Sequence, residues 1–219
     1  MVQKGSKPKD DEPRPAKRRG RPRAYDAEVA LARATGSFWL AGYSGTSLDD
    51  LSAATGMNRP SLYAAFGDKR DLYLKALARY WELSRAVIKE DLADDRTLRE
   101  ALQRVYRKAL SSYLAGESGP RGCFAISTAT TEALRDAKIR ALLDEGFRTI
   151  DEAFETRIRF AKENGELAKS ADPAVLATLA SATLHTLAIR ARAGGSRSSL
   201  EIIADTAVNV ICGSRRLGA

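Results

Sequence analysis

Between residues 46 and 69 of this 219-residue chain, Thr46, Ser47, Asn58, Arg59, Ser61, Tyr63 and Lys69 crowd into a short stretch. Arginine offers a rigid fork of donors, the amide and hydroxyls both donate and accept, and lysine is a point charge. No nucleophile stands beside a base, so the chemistry they suit is recognition: short polar and Arg side chains at a helix N-terminus can reach base edges in a major groove and the phosphates beside it. Elsewhere the reactive inventory is thin. His185 is the only histidine, and with no second His or carboxylate three or four residues away it reads as a core or interface residue, not a metal ligand. Cys123 and Cys212 stand alone without CxxC spacing, so neither a disulfide framework nor a metal knuckle is indicated. The flanks Phe124 and Ala125 make Cys123 a small buried hydrophobe, although nearby Arg121 leaves a redox-sensing thiol open. With no Gly-rich phosphate loop, triad or paired carboxylates, the sequence predicts no enzyme, no cofactor and no metal.

The elements that position the recognition residues are read from LDDLSAATGMNRPSLYAAF, residues 48–66. Two helices of about two turns flank Gly56, whose freedom at positive φ suits a tight turn. Ser47 and Asn58 are natural N-caps, Asp49 and Asp50 favour a helix N-terminus, and Pro60 is tolerated in a first turn. Leu48, Leu51, Met57, Leu62 and Phe66 are placed to lock the pair together. Spacing alone admits both a helix-turn-helix and a plain helical hairpin.

The rest of the chain predicts an all-α fold of about nine helices, since apolar residues recur at helical spacing and no segment alternates long enough for a strand. The other helices run over about 26–41, from Asp68 with Leu72, Ala76, Tyr80, Leu83 and Val87 on one face, over 98–113, 123–134 and 139–163, after Asp172-Pro173, and over 200–212. Residues 174–189 and 200–212 are apolar around most of their circumference, which predicts one face in the core and another against a second copy, with Leu184, Leu187, Ile203, Val208 and Ile211 at that interface. The longest uncharged run, Pro173 to Ile189, is interrupted by Thr, Ser and His185, and the N-terminus lacks a signal-peptide core, so a cytoplasmic protein is expected.

The stretch GYSGTSLDDLSAATGMNRPSLYAAFGDKRDLYLKAL, residues 42–77, resembles the DNA-binding domain of the TetR family of transcriptional regulators. The resemblance rests on Gly42-Tyr43, Thr46-Ser47, Gly56, Leu62-Tyr63 with Phe66, and Asp68-Lys69. It is specific over residues 26–77; over 94–219 it rests on helix number and order, with Gly122-Cys123 similar to a subset of members. It implies a helix-turn-helix domain over 25–70 and a ligand-binding and dimerisation domain over 71–219. It further implies a homodimer on an operator in double-stranded DNA, most often a repressor released by a small-molecule effector. Thr46, Tyr63 and Lys69 match positions that hold phosphates, and Asn58, Arg59 and Ser61 occupy the base-reading part. Asn58 replaces the usual Ser or Thr, and Pro60 removes a side-chain donor, which leaves Arg59 the main reader. Tyr106, Tyr113, Phe124, Ser127, Thr128, Thr131, Phe147 and Phe154 are the candidates for a mostly apolar effector pocket.

Net charge is +8, and residues 1–24 hold nine Lys/Arg against three acids, so this stretch carries +6 of it. Rich in Pro and Gly and nearly without large apolar side chains, it is expected to be a disordered arm that meets a polyanion. Lys17 to Arg23, KRRGRPR, looks like an AT-hook, in which Arg18, Arg19, Arg21 and Arg23 would run along a narrow A·T minor groove. Alternatives are a phosphate tether or a solubilising tail. The rivals for the whole chain are an architectural A·T-rich DNA-binding protein without ligand response, and a helical enzyme or protein-interaction module whose helix-turn-helix is incidental.

Overall fold

The computed structural model describes residues 26–93, 95–116 and 119–213, and all regular structure among them is helical. The basic arm, with Arg18, Arg19, Arg21 and Arg23, lies outside the described residues. Helix α1 spans Ala27–Gly45, N-capped by Asp26 and broken at Gly42, whose φ of 77° lies in the left-handed region. Helices α2 (Leu48–Thr55) and α3 (Arg59–Phe66) follow, joined at Gly56 with φ 69°. Ser47 and Asp50 close a capping box on α2, and the Asn58 side chain accepts from the Ser61 amide to start α3. Leu51, Met57, Leu62 and Phe66 are buried with Ala30, Leu31, Ala34 and Phe38, which fixes the two short helices on α1.

Helix α4 (Lys69–Asp91) is long enough to serve both halves of the protein: it packs on α1 and on α7 (Ala137–Glu163). Its first half buries Leu72, Tyr73, Ala76 and Leu77. The face expected from sequence does not stay in the core, because Leu83 and Val87 are exposed beside a cavity. Helices α5 (Leu98–Leu114), α8 (Pro173–Arg192) and α9 (Arg197–Cys212) complete the larger bundle with α7.

The helix expected over 123–134 is interrupted. A π-turn over Ala125–Ala129 runs into a single α-turn, Thr130–Glu132, here together α6. The wider turn buries both Phe124, against Trp39, Tyr73 and Tyr80, and Thr128, whose hydroxyl meets that of Tyr73 at 2.7 Å. An even 3.6-residue periodicity carries no sign of such a register change.

The expected interface residues require the clearest correction. Leu184, Leu187, Val208 and Ile211 are buried inside the protein's own core, Leu187 at 0% and Val208 at 1% exposure, and Ile203 is half-buried. The outward face of α8 and α9 carries instead Val175, Leu179, Ile189, Ile202 and Val210, with Val175, Ile202 and Val210 more than 60% exposed. The reason is geometric: on a helix apolar all round, the packing of α5 and α7 decides which face is inside. Helix α8 is long and apolar enough to cross a bilayer by composition, but Ala177, Ala180, Leu184, Leu187, Ala188 and Ala191 are packed in the core.

Candidate nucleic-acid interface and effector cavity

The N-terminal end of α3 presents one surface. Arg59, its first residue, is exposed, and its guanidinium grips the Asp49 carboxylate of α2, Nη2 lying 2.7 Å from both oxygens and Nε 3.1 Å from Oδ1. Tyr63 stands exposed one turn on, and Ser61 is half-buried between them. Asn58 is exposed, but its side-chain oxygen is engaged as the cap of α3, which leaves its amide nitrogen for other partners. Lys69 opens α4 with its ammonium 4.5 Å from the centroid of the Tyr43 ring, which fixes the charge at the edge of this surface. Lys75 donates to the Phe66 carbonyl and closes the far end of α3.

Thr46 departs from its expected role. It is buried, and its hydroxyl donates to the Gly42 carbonyl at 2.6 Å, so it secures the end of α1 and offers nothing to a phosphate. Ser47 is exposed, with its hydroxyl committed to the α2 capping box. Asp49 was missed from sequence as a partner of Arg59. A ten-residue separation across a turn gives no local signal for their contact.

A second feature is a cavity of about 330 Å³ between α1, α4, α5, α7 and α8. Trp39, Tyr80, Trp81, Tyr113, Cys123 and His185 are among its walls, with Leu83 and Val87. Of the eight pocket residues named from sequence, Tyr113 alone lines it. Phe124 and Phe147 stand one layer back, Phe124 against Trp39 and Tyr80 and Phe147 against Trp81 and His185. Tyr106 donates to the Ala180 carbonyl in the α5–α8 contact, and Phe154 is wholly buried in the core. Ser127 donates to the Arg121 carbonyl, Thr128 faces Tyr73, and Thr131 is exposed. The missed residues include both tryptophans, Trp39 and Trp81, whose size and number were the available signal.

Burial raises the Cys123 thiol pKa, and the Tyr80 hydroxyl lies 3.0 Å from its sulfur, so the thiol stays protonated and is a poor nucleophile. Burial lowers the His185 pKa, opposed by Asp151, which leaves the ring neutral at pH 7. Among the described residues no three His, Cys, Asp or Glu side chains gather as metal ligands.

The cavity touches the helix-turn-helix half directly. Trp39 belongs to α1, and its indole nitrogen donates to the Arg121 carbonyl at 3.0 Å while the Arg121 guanidinium lies over its ring. Arg192 of α8 donates to the Trp39 and Arg121 carbonyls. Further across the junction, Arg70 grips Asp136, whose carboxyl pKa is pushed down to about 2 chiefly by that hydrogen bond, and Ser44 donates to Glu132 at 2.9 Å.

Comparison with known proteins agrees with this architecture. Residues 30–76 match the family profile described as bacterial regulatory proteins, tetR family, and residues 100–207 match the tetracyclin repressor-like C-terminal domain. The HTH-type transcriptional repressor ComR of Escherichia coli (strain K12) is 30% identical over 194 residues, 89% of this chain and 92% of ComR. The uncharacterized HTH-type transcriptional regulator YezE of Bacillus subtilis (strain 168) is 28% identical over 193 residues, 88% of this chain and 99% of YezE. A solved structure of a cysteine mutant of the TetR family transcriptional regulator CifR, complexed with 26-bp double-strand operator DNA, superposes with a TM-score of 0.75 at 32% identity, covering 86% of this chain and 98% of that one. With both halves matched and the helix-turn-helix intact, the chain belongs to the TetR family and is a DNA-binding transcriptional regulator.

Proposed function

We propose that the protein is a homodimeric repressor, held on a twofold-symmetric operator by two copies of the α2–α3 motif and released when a small effector enters the cavity. The domain division is residues 25–70 for DNA and 71–219 for effector and partner. Arg59 reads bases with Asn58 and Ser61, Tyr63 and Lys69 border phosphates, and Ser47 lies at the edge of the same DNA-facing surface. The observation that carries the effector reading is Trp39: a residue of the DNA-binding half forms part of the cavity wall, so a guest bears on α1 without an intermediary. The outward apolar face of α8 and α9 is the surface for the second copy. The architectural alternative, an A·T-rich DNA-binding protein without ligand response, is disfavoured by the presence of that cavity. Working on chromosomal DNA places the protein in the cytoplasm. In cells lacking the protein, transcripts next to its bound sites are expected to rise; a fall would make it an activator.

The basic arm extends the same reading. We assign Arg18, Arg19, Arg21 and Arg23 to an A·T minor groove beside the operator. Each phosphate neutralised releases counterions, with a slope of about −0.9 in log affinity against log salt. Removing residues 1–24 is expected to flatten that slope by several units for the dimer, with a larger affinity loss on operators flanked by A·T tracts. An unchanged slope, measured by fluorescence anisotropy across a salt series, makes the arm a tail; a changed slope without A·T dependence makes it a phosphate tether.

A further inference from the structure

The walls of the cavity hold enough chemistry to say what kind of molecule it takes. Trp39, Tyr80 and Trp81 form a run of rings, each edge-on to the next, with centroids 5.4 and 5.8 Å apart. Edge-to-face and offset contacts are the arrangements aromatic guests use. Trp81 is seated directly on α7, because Gly146 leaves the space its indole fills and any Cβ there would overlap it. The indole is therefore part of a fixed wall.

Charge in the wall is fully compensated. Asp91 is buried, and its Oδ1 accepts from Lys108 Nζ at 2.6 Å and Arg104 Nε at 2.7 Å, with Glu90 beside both cations. Two positive and two negative side chains thus close on themselves. His185 is neutral, and burial raises the pKa values of Tyr80, Tyr113 and Cys123, which keeps all three protonated. A charged guest would lose part of its hydration against a wall whose ion-paired side chains already sum to zero. Two buried polar atoms of wall residues have no partner: Trp81 Nε1, a donor only, and Asp91 Oδ2, an acceptor. Unsatisfied buried groups of this kind ask for a ligand that can donate to one and accept from the other, and the zero net charge of the wall favours one that does so without carrying charge.

We infer that the cavity selects a small, electrically neutral aromatic compound bearing an uncharged hydrogen-bonding group, and rejects anions and cations of the same shape. This rests on reading the cavity as the effector site. Its volume of about 330 Å³ sets the size, because an apolar cavity of about 150 Å³ accepts a single benzene. Two or three rings fit. Leu83 and Val87, exposed apolar side chains at its edge, suit a guest without charge.

The test uses two dyes that share an arylamine skeleton and differ by one sulfonate: neutral N-phenylnaphthylamine and anionic anilinonaphthalene sulfonate. Trp39 and Trp81 are the chain's two tryptophans and both line the cavity, so energy transfer to the dye is strongest from that site, and its loss in a cavity-filled variant assigns it there. The neutral dye is expected to saturate at one per protomer and to bind at least about tenfold more tightly than the anion. Ala109→Trp, which fills the cavity, should abolish the transfer. Leu83→Arg, a change at a position 53% exposed, should close most of the gap by recruiting the anion. Equal or tighter binding of the anion to the unaltered protein, lost in Ala109→Trp, overturns the preference for neutral guests and leaves the cavity a ligand site. Failure of both dyes to bind removes the ligand site and the effector reading with it.

Discussion

Replacing Ile202 and Val210 together by aspartate is expected to give a folded monomer whose operator affinity falls by more than about a hundredfold. Both side chains lie on the outward face of α9 and contribute little to the protein's own core. In a twofold interface each substitution occurs twice, so four carboxylates would be buried without partners, each at a cost of several kcal/mol. A monomer keeps one α3 helix and loses the second half-site, and with it half of the phosphate contacts. Sedimentation velocity reads the assembly state, and fluorescence anisotropy on operator DNA reads the affinity. Leu187→Asp is the necessary contrast: Leu187 is wholly buried, so that variant is expected to unfold, with the helical circular dichroism lost at room temperature. A dimer that survives Ile202→Asp with Val210→Asp would place the interface elsewhere.

Arg59→Ala is expected to reduce discrimination between the operator and a variant changed at the contacted base pair by about 5- to 150-fold. Once it exchanges the Asp49 carboxylate for DNA, the guanidinium fork is the one group at the start of α3 with the geometry for bidentate contact to a guanine edge. Asn58 spends its oxygen on the helix cap, and Pro60 has no donor. Lys69→Ala and Tyr63→Phe are expected to weaken all duplexes nearly equally, because a phosphate contact carries no sequence information. Competition binding against operator, singly altered operator and random duplex separates the two classes. Equal losses on all three for Arg59→Ala would make it a phosphate contact.

Much of the DNA-binding half is legible in the sequence because its determinants are local. Ser47 and Asn58 cap the helices they precede, Gly56 makes the turn, and Leu51, Met57, Leu62 and Phe66 meet within twenty residues of each other. Thr46 was the exception there, since burial by the returning end of α1 turned a candidate phosphate contact into an internal hydrogen bond. The larger bundle is less legible for the same physical reason. Helix existence follows from periodicity, but the inward face of α8 and α9 depends on α5 and α7, which are distant in sequence. The cavity draws Trp39 from α1, Tyr80 and Trp81 from α4, Tyr113 from α5 and His185 from α8. No local pattern joins residues so far apart, so an aromatic count in the C-terminal half named core residues such as Phe154 in their place.

The central claim, a symmetric dimer reading a specific operator through α3, is tested most directly by incubating the full-length protein with fragmented genomic DNA and sequencing what it retains. The expected result is enrichment of a short inverted repeat whose half-sites lie about one helical turn, 10–10.5 base pairs, or a multiple of it, apart. Retention of A·T-rich fragments with no common symmetric sequence, or no enrichment at all, would contradict it.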